Sequence, residues 1–148
     1  MAKKINIEVR YVDRDTCSRC KKTGENTEKT YRKLKSELEK LGVGVSFKTR
    51  KLPLSKLKQS NSVFINGKDL GVLLKEDGGL SVGQSTCYGC SKIMQKPCVC
   101  RTYTHKGKRY RYITESMIKE AVMKILRDRI QKMKVQIKIP KKQGKRRA

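Results

Sequence analysis

The chain has 148 residues and a net charge of +25, which allows one ordinary domain with appendages and a single modest core. Hydrophobic residues make up 36%, with two Phe and no Trp, so Val, Ile and Leu must build that core, helped by a metal or disulfide staple. There is no P-loop, no GxGxxG and no clustered carboxylate pair, and His105 is the only histidine; ATP-driven, dinucleotide, glycosidase and His-based hydrolase chemistry have nothing to work with.

In chain order, Ile5 to Val12 alternates apolar and polar residues, the pattern of a strand with one face on a core. Met-Ala-Lys-Lys leads straight into it. No signal peptide is visible, and no apolar run approaches the roughly 18 residues of a membrane span. The sequence therefore predicts a cytoplasmic protein with no membrane partner, in a compartment where paired thiols read as catalytic or metal-binding. The turn at residues 13–16 runs into Cys17-Ser18-Arg19-Cys20. Helical spacing follows from Cys17 to Leu41, with Tyr31, Leu34, Leu38 and Leu41 on one stripe and Gly42 as the residue after the helix. Val43 to Leu52 reads as a second strand.

Pro53 opens a short helical turn over Leu54 to Leu57, Ser62 to Ile65 is a third strand, and Asn66-Gly67 predicts a hairpin into a fourth, Lys68 to Leu73. Lys75 to Thr86 reads as a flexible connection to the second cysteine block, Cys87 to Cys100. Arg101 to His105 and Lys108 to Ile113 predict two strands, with His105 an exposed turn residue. Thr114 is a good N-cap, Ile113 and Ile118 a hydrophobic staple, and the helix that follows has Met117, Ile118, Ala121, Val122, Ile125 and Leu126 on its buried face. That helix is expected to run to about Met133. Val135, Ile137 and Ile139 alternate like a short strand, and a basic tail predicted to be disordered starts at Pro140. This divides the chain into a domain over residues 1–133, cluster 87–100 included, and a tail over 134–148.

The six cysteines fall in three close pairs, Cys17/Cys20, Cys87/Cys90 and Cys98/Cys100. Sulfur so arranged holds a metal or cycles between thiol and disulfide. A cysteine at a helix start, with Arg14, Arg19, Lys21 and Lys22 nearby, favours thiolate. Cys17 is the expected nucleophile and Cys20 the resolving thiol. Cys87, Cys90, Cys98 and Cys100 suit tetrahedral zinc, with Gly89 and Pro97 turning the backbone. Two disulfides, a dithiol relay to Cys17 and Cys20, or capture of another soft metal such as copper or mercury fit the same spacing.

At Ile5 to Cys20, Val63 to Lys68, and Cys87 to about Leu126, the chain resembles the thioredoxin-like proteins of prokaryotes, and within them a small uncharacterised family with an early CxxC and a late cysteine cluster. The resemblance implies an α/β, thioredoxin-like fold: a central mixed sheet flanked by helices, with a cysteine-cluster hairpin and a C-terminal helix. It also implies that Cys17 and Cys20 are the redox positions. Ser60-Asn61-Ser62 stands where thioredoxins set a cis-proline opposite the CxxC.

Three functions fit. The first is a small thiol–disulfide oxidoreductase or redox-linked thiol protein acting on a thiol or disulfide partner protein. The second is a soft-metal module without turnover. The third is a nucleic-acid-associated protein with a structural zinc. For the last, Tyr103, Lys108, Arg109, Tyr110 and Arg111 interleave rings with cations, and Lys141, Lys142, Arg146 and Arg147 add charge in the tail.

Overall fold

The computed structural model describes the backbone of residues 3–13, 17–75, 78–87, 91–92 and 94–145, and side chains between Lys4 and Ile130. The elements are β1 (Lys3–Tyr11), α1 (Ser18–Glu39), β2 (Val43–Lys51), a 3-10 turn (Leu54–Gln59), β3 (Ser62–Ile65), β4 (Lys68–Asp69), α2 (Leu70–Leu73), β5 (Leu80–Thr86), β6 (Val99–His105), β7 (Lys108–Tyr110) and α3 (Glu115–Lys145).

Two sheets form. The first has strand order β2-β1-β3-β4, and the second is the antiparallel meander β5-β6-β7. Strand β1 lies parallel to β2, from Lys3 opposite Val43 to Tyr11 opposite Lys51, a pairing that requires the α1 crossover. On its other side β1 runs antiparallel to β3, with Ile7 opposite Ile65 and Val9 opposite Val63.

Alternation along β1 puts Ile5, Ile7 and Val9 on one face, where they join Val63, Ile65, Val43 and Val45. Leu34 and Leu38 of α1 and Met117, Ile118, Ala121 and Val122 of α3 complete this core. Each Val, Leu, Ile or Met among them contributes on the order of 1.5–3 kcal/mol by leaving water. The opposite face of β1 and β2 is polar. Lys4, Asn6, Glu8, Arg10, Ser46 and Lys48 line an open groove there.

Several expectations are corrected. The fourth strand ends at Asp69, whose side chain caps α2 by accepting from the Gly71 amide at 2.9 Å. Residues 80–86 form β5 rather than a flexible connection, because β6 satisfies the backbone groups of Leu80 to Thr86 in an unbroken ladder. Leu41 lies beyond the last turn of α1 and is exposed, while Gly42, at φ +81°, turns the chain as expected. Helix α3 continues through Val135, Ile137 and Ile139 to Lys145, rather than ending near Met133 ahead of a short strand. Among the described residues no strand pairs with that stretch, and the Lys, Gln and Met around it are good helix formers. His105 is buried, with Nε2 3.1 Å from the Glu120 carboxylate. Thr114 behaves as expected, its hydroxyl accepting from the Met117 amide.

Candidate metal centre

The end of β1 delivers the chain to Cys17, which occupies the N-cap of the 22-residue helix α1 in an extended conformation. Its carbonyl accepts from the Lys21 amide, and Cys20 follows one turn later. In the second sheet, Cys100 sits on β6 opposite Ser85, and Cys87 lies just past the end of β5. The Cys87 amide donates to the Cys98 carbonyl at 2.9 Å, which continues the ladder by one step.

These two unions bring four sulfurs together. The Sγ atoms of Cys17 and Cys87 are 3.6 Å apart. Those of Cys17, Cys87 and Cys100 all lie within 4.8 Å of one another. The Cys20 thiol shares hydrogen bonds with Cys100 and Cys17, and its Sγ is 3.0 Å from the Ser60 hydroxyl oxygen. All four residues are 2% exposed or less. A disulfide needs a sulfur separation near 2.05 Å. A tetrahedral ion with metal–sulfur bonds of about 2.3 Å has an edge of about 3.8 Å. The Cys17–Cys87 separation matches the edge and not the bond.

The surroundings hold this geometry. Arg19 turns inward from the CxxC and donates to the carbonyls of Ser85, Thr86 and Cys100, so one buried guanidinium clamps the start of α1 to the paired ends of β5 and β6. The Ser60 hydroxyl accepts from the Val12 amide, fixing the chain between β1 and Cys17 against the Cys20 thiol. Hydrogen bonds that the Cys20 thiol donates to Cys100 and Cys17, together with burial, push that thiol far up from its usual range, against a smaller opposing effect of Ser60. A metal that took Cys20 as a ligand would have to displace the proton that this thiol otherwise keeps.

The early cysteine pair and the late block therefore meet in one place. Cys17 and Cys20 pack directly on Cys87 and Cys100, and half-buried Cys98 packs against the same cluster. Cys90 and Arg14 lie outside the described residues, and Lys21 and Lys22 are exposed.

Of the residues expected to meet nucleic acid, Tyr103 is fully buried, and its hydroxyl donates to the Asn61 carbonyl at 2.6 Å. It offers no ring face to a base, because an inward position on β6 places it in the core. Lys108, Arg109, Tyr110 and Arg111 instead line a cleft beside Cys87. The side chains of Lys141, Lys142, Arg146 and Arg147 lie outside the described residues.

The residues that sequence reasoning missed are Arg19 as a clamp, Ser60 and Asn61. Asn61 stands at φ +60°, accepts from the Thr23 hydroxyl, and donates to the carbonyls of Arg101 and Arg111. The run Ser60-Asn61-Ser62, two small polar residues around one that tolerates a left-handed backbone, was the available signal.

Fold and site together define a mixed α/β protein of two sheets with a buried thiol cluster able to accept a soft metal ion. No described helix is long and apolar enough to cross a membrane. The chain belongs to the family described as Domain of unknown function (DUF2703), which matches residues 5–122. No curated protein and no solved structure matches it.

Proposed function

We propose that this chain is a thioredoxin-like thiol protein in which Cys17, Cys20, Cys87 and Cys100 hold a soft metal ion, with zinc the first candidate. The 3.6 Å contact between Cys17 and Cys87, with Cys100 in mutual reach, is the observation that carries the proposal. The fold reading is supported by the β1-α1-β2 crossover, the CxxC at its strand-to-helix junction, and the antiparallel hairpin on the other side of β1. A site of four sulfur donors is coordinatively closed, so it binds or stores an ion rather than activating water.

Thiol–disulfide exchange is the second reading, favoured by the place of Cys17 at the N-terminus of α1, where the dipole supports a thiolate. In that chemistry Cys17 attacks a partner disulfide and releases one partner thiol. Cys20 then attacks the mixed disulfide, releases the second thiol and leaves a Cys17–Cys20 disulfide.

Native mass spectrometry of anaerobically purified protein separates the two. The metal reading expects one zinc per chain, released by a thiol-blocking reagent. An ion-free chain that loses hydrogens in pairs on mild oxidation would overturn it in favour of exchange.

A further inference from the structure

The metal centre is buried, yet Cys87 lines a cleft of about 620 Å³ between the start of α1, the end of β5 and residues 108–112. That volume is in the range of small-molecule sites, about 300–1,000 Å³. The sign of its wall is the informative feature. Arg19, Lys22, Lys108, Arg109 and Arg111 all line it, and among the described residues no lining residue is a carboxylate. Arg19 is committed to three carbonyls. The other four form no ion pair with a carboxylate among the described residues, and two of them lie over tyrosine rings: Lys22 Nζ is 5.9 Å from the Tyr112 centroid and Lys108 Nζ 5.4 Å from that of Tyr110.

A hydrated metal cation approaching Cys87 by this route meets like charge. Repulsion lowers its local concentration at the mouth of a site that would bind it tightly. A soft metal already wrapped by thiols that carry carboxylates is an anion, and the same field draws it in. The cleft has the volume for a small carrier, and Cys87 is part of its wall.

We infer that this cleft docks an anionic complex of a soft metal with a small carboxylate-bearing thiol, and that Cys87 is the first protein ligand to accept the ion. The inference rests on the metal reading above. The exchange balances without an oxidant. One bond from metal to carrier sulfur breaks as the bond to Cys87 Sγ forms, and the Cys87 thiol proton leaves on the carrier thiol. Cys17, 3.6 Å behind, repeats the step with the second carrier thiol, and no electrons change hands. Cys100 and Cys20 complete the site, each giving up its thiol proton to solvent.

The test uses the full reduced chain and cadmium, whose thiolate bonds absorb in the ultraviolet, presented as its complex with mercaptosuccinate or with neutral mercaptoethanol. Uptake from the mercaptosuccinate complex should be about tenfold faster or more. That ratio should fall steeply with added salt. It should drop towards one in Lys22→Glu and in Arg111→Glu, with uptake from mercaptoethanol as the internal reference for each variant. Equal rates from the two carriers, or a ratio indifferent to salt and to both substitutions, would overturn the cleft assignment while the metal reading stands. Stronger inhibition of uptake by a single-stranded oligonucleotide than by free mercaptosuccinate would give the cleft to nucleic acid and overturn it too. No cadmium bound from either complex or from the free ion would remove the metal reading and this inference together.

Discussion

Asn61 shows how much of this molecule depends on single polar side chains. Its left-handed backbone suits Asn or Gly, and its amide group joins α1, through Thr23, to the carbonyls of Arg101 and Arg111. Asn61→Ala should cost on the order of 3 kcal/mol in urea unfolding, since it leaves buried groups without partners and strains the backbone. Asn61→Gly, which keeps the backbone free, should cost less. Arg19 is the second such residue. Lys cannot span the three carbonyls that its guanidinium joins, so Arg19→Lys should weaken zinc about 10- to 100-fold by chelator competition, as removal of a residue that orients ligands commonly does. Glu8 makes a third case, on the open sheet face. Burial would raise its carboxyl, but the hydrogen bond and charge of Arg10, and then of Lys48, outweigh that and hold it below its usual value. A carboxyl lowered by folding adds stability above its unfolded pKa, about 4.3, and that contribution is lost as pH falls through the lower folded value. Glu8→Gln should therefore flatten the acid side of a plot of unfolding free energy against pH, below about pH 4.3. None of the three roles was legible from the residue alone, because every partner except Arg10 lies far away in sequence.

At the scale of elements, what could be read was local. The alternation of Ile5, Ile7 and Val9, the stripe of Leu34 and Leu38, the Asn66-Gly67 turn and the Thr114 cap each carry their signal within a few residues, and each element appears where that signal places it. Strand β5 has no such signal. Leu80 to Thr86 is rich in Ser, Gly and Gln, and is a strand because β6 pairs with it along its whole length. Its entry is set by packing. A Cβ on Gly78 would lie 2.8 Å from both Cβ and Cδ2 of the buried Leu74. Gly78→Ala should cost about 1–3 kcal/mol in a denaturant titration, since Leu74 is fixed in the core and cannot move its own Cβ aside. Helix α3 is the converse case, where the period-two spacing of Val135, Ile137 and Ile139 imitated a strand that has no neighbour to pair with among the described residues.

Across the whole molecule, the six cysteines announced thiol chemistry, but their spacing grouped them by nearness in sequence. Among the described cysteines, the fold brings members of the early pair and the late block together. Cys17 and Cys20 come from the first sheet's crossover, Cys87 and Cys100 from the second sheet, and Arg19 and Ser60 hold the seam between them. Which pairs meet is a property of how two sheets pack, and no local pattern encodes it. The charge of +25 was legible at once, but the placement of Lys22, Lys108, Arg109 and Arg111 around the cleft beside Cys87 was not.

The most direct measurement is metal stoichiometry and sulfur coordination, by native mass spectrometry and X-ray absorption, on wild type, Cys17→Ser and Cys98→Ser. A single centre joining the two sheets predicts one ion with four sulfur neighbours in wild type, loss or marked weakening of that ion in Cys17→Ser, and its retention in Cys98→Ser. An ion that survives Cys17→Ser with four sulfurs and is lost from Cys98→Ser would place the metal on the late cysteine block alone and contradict the account.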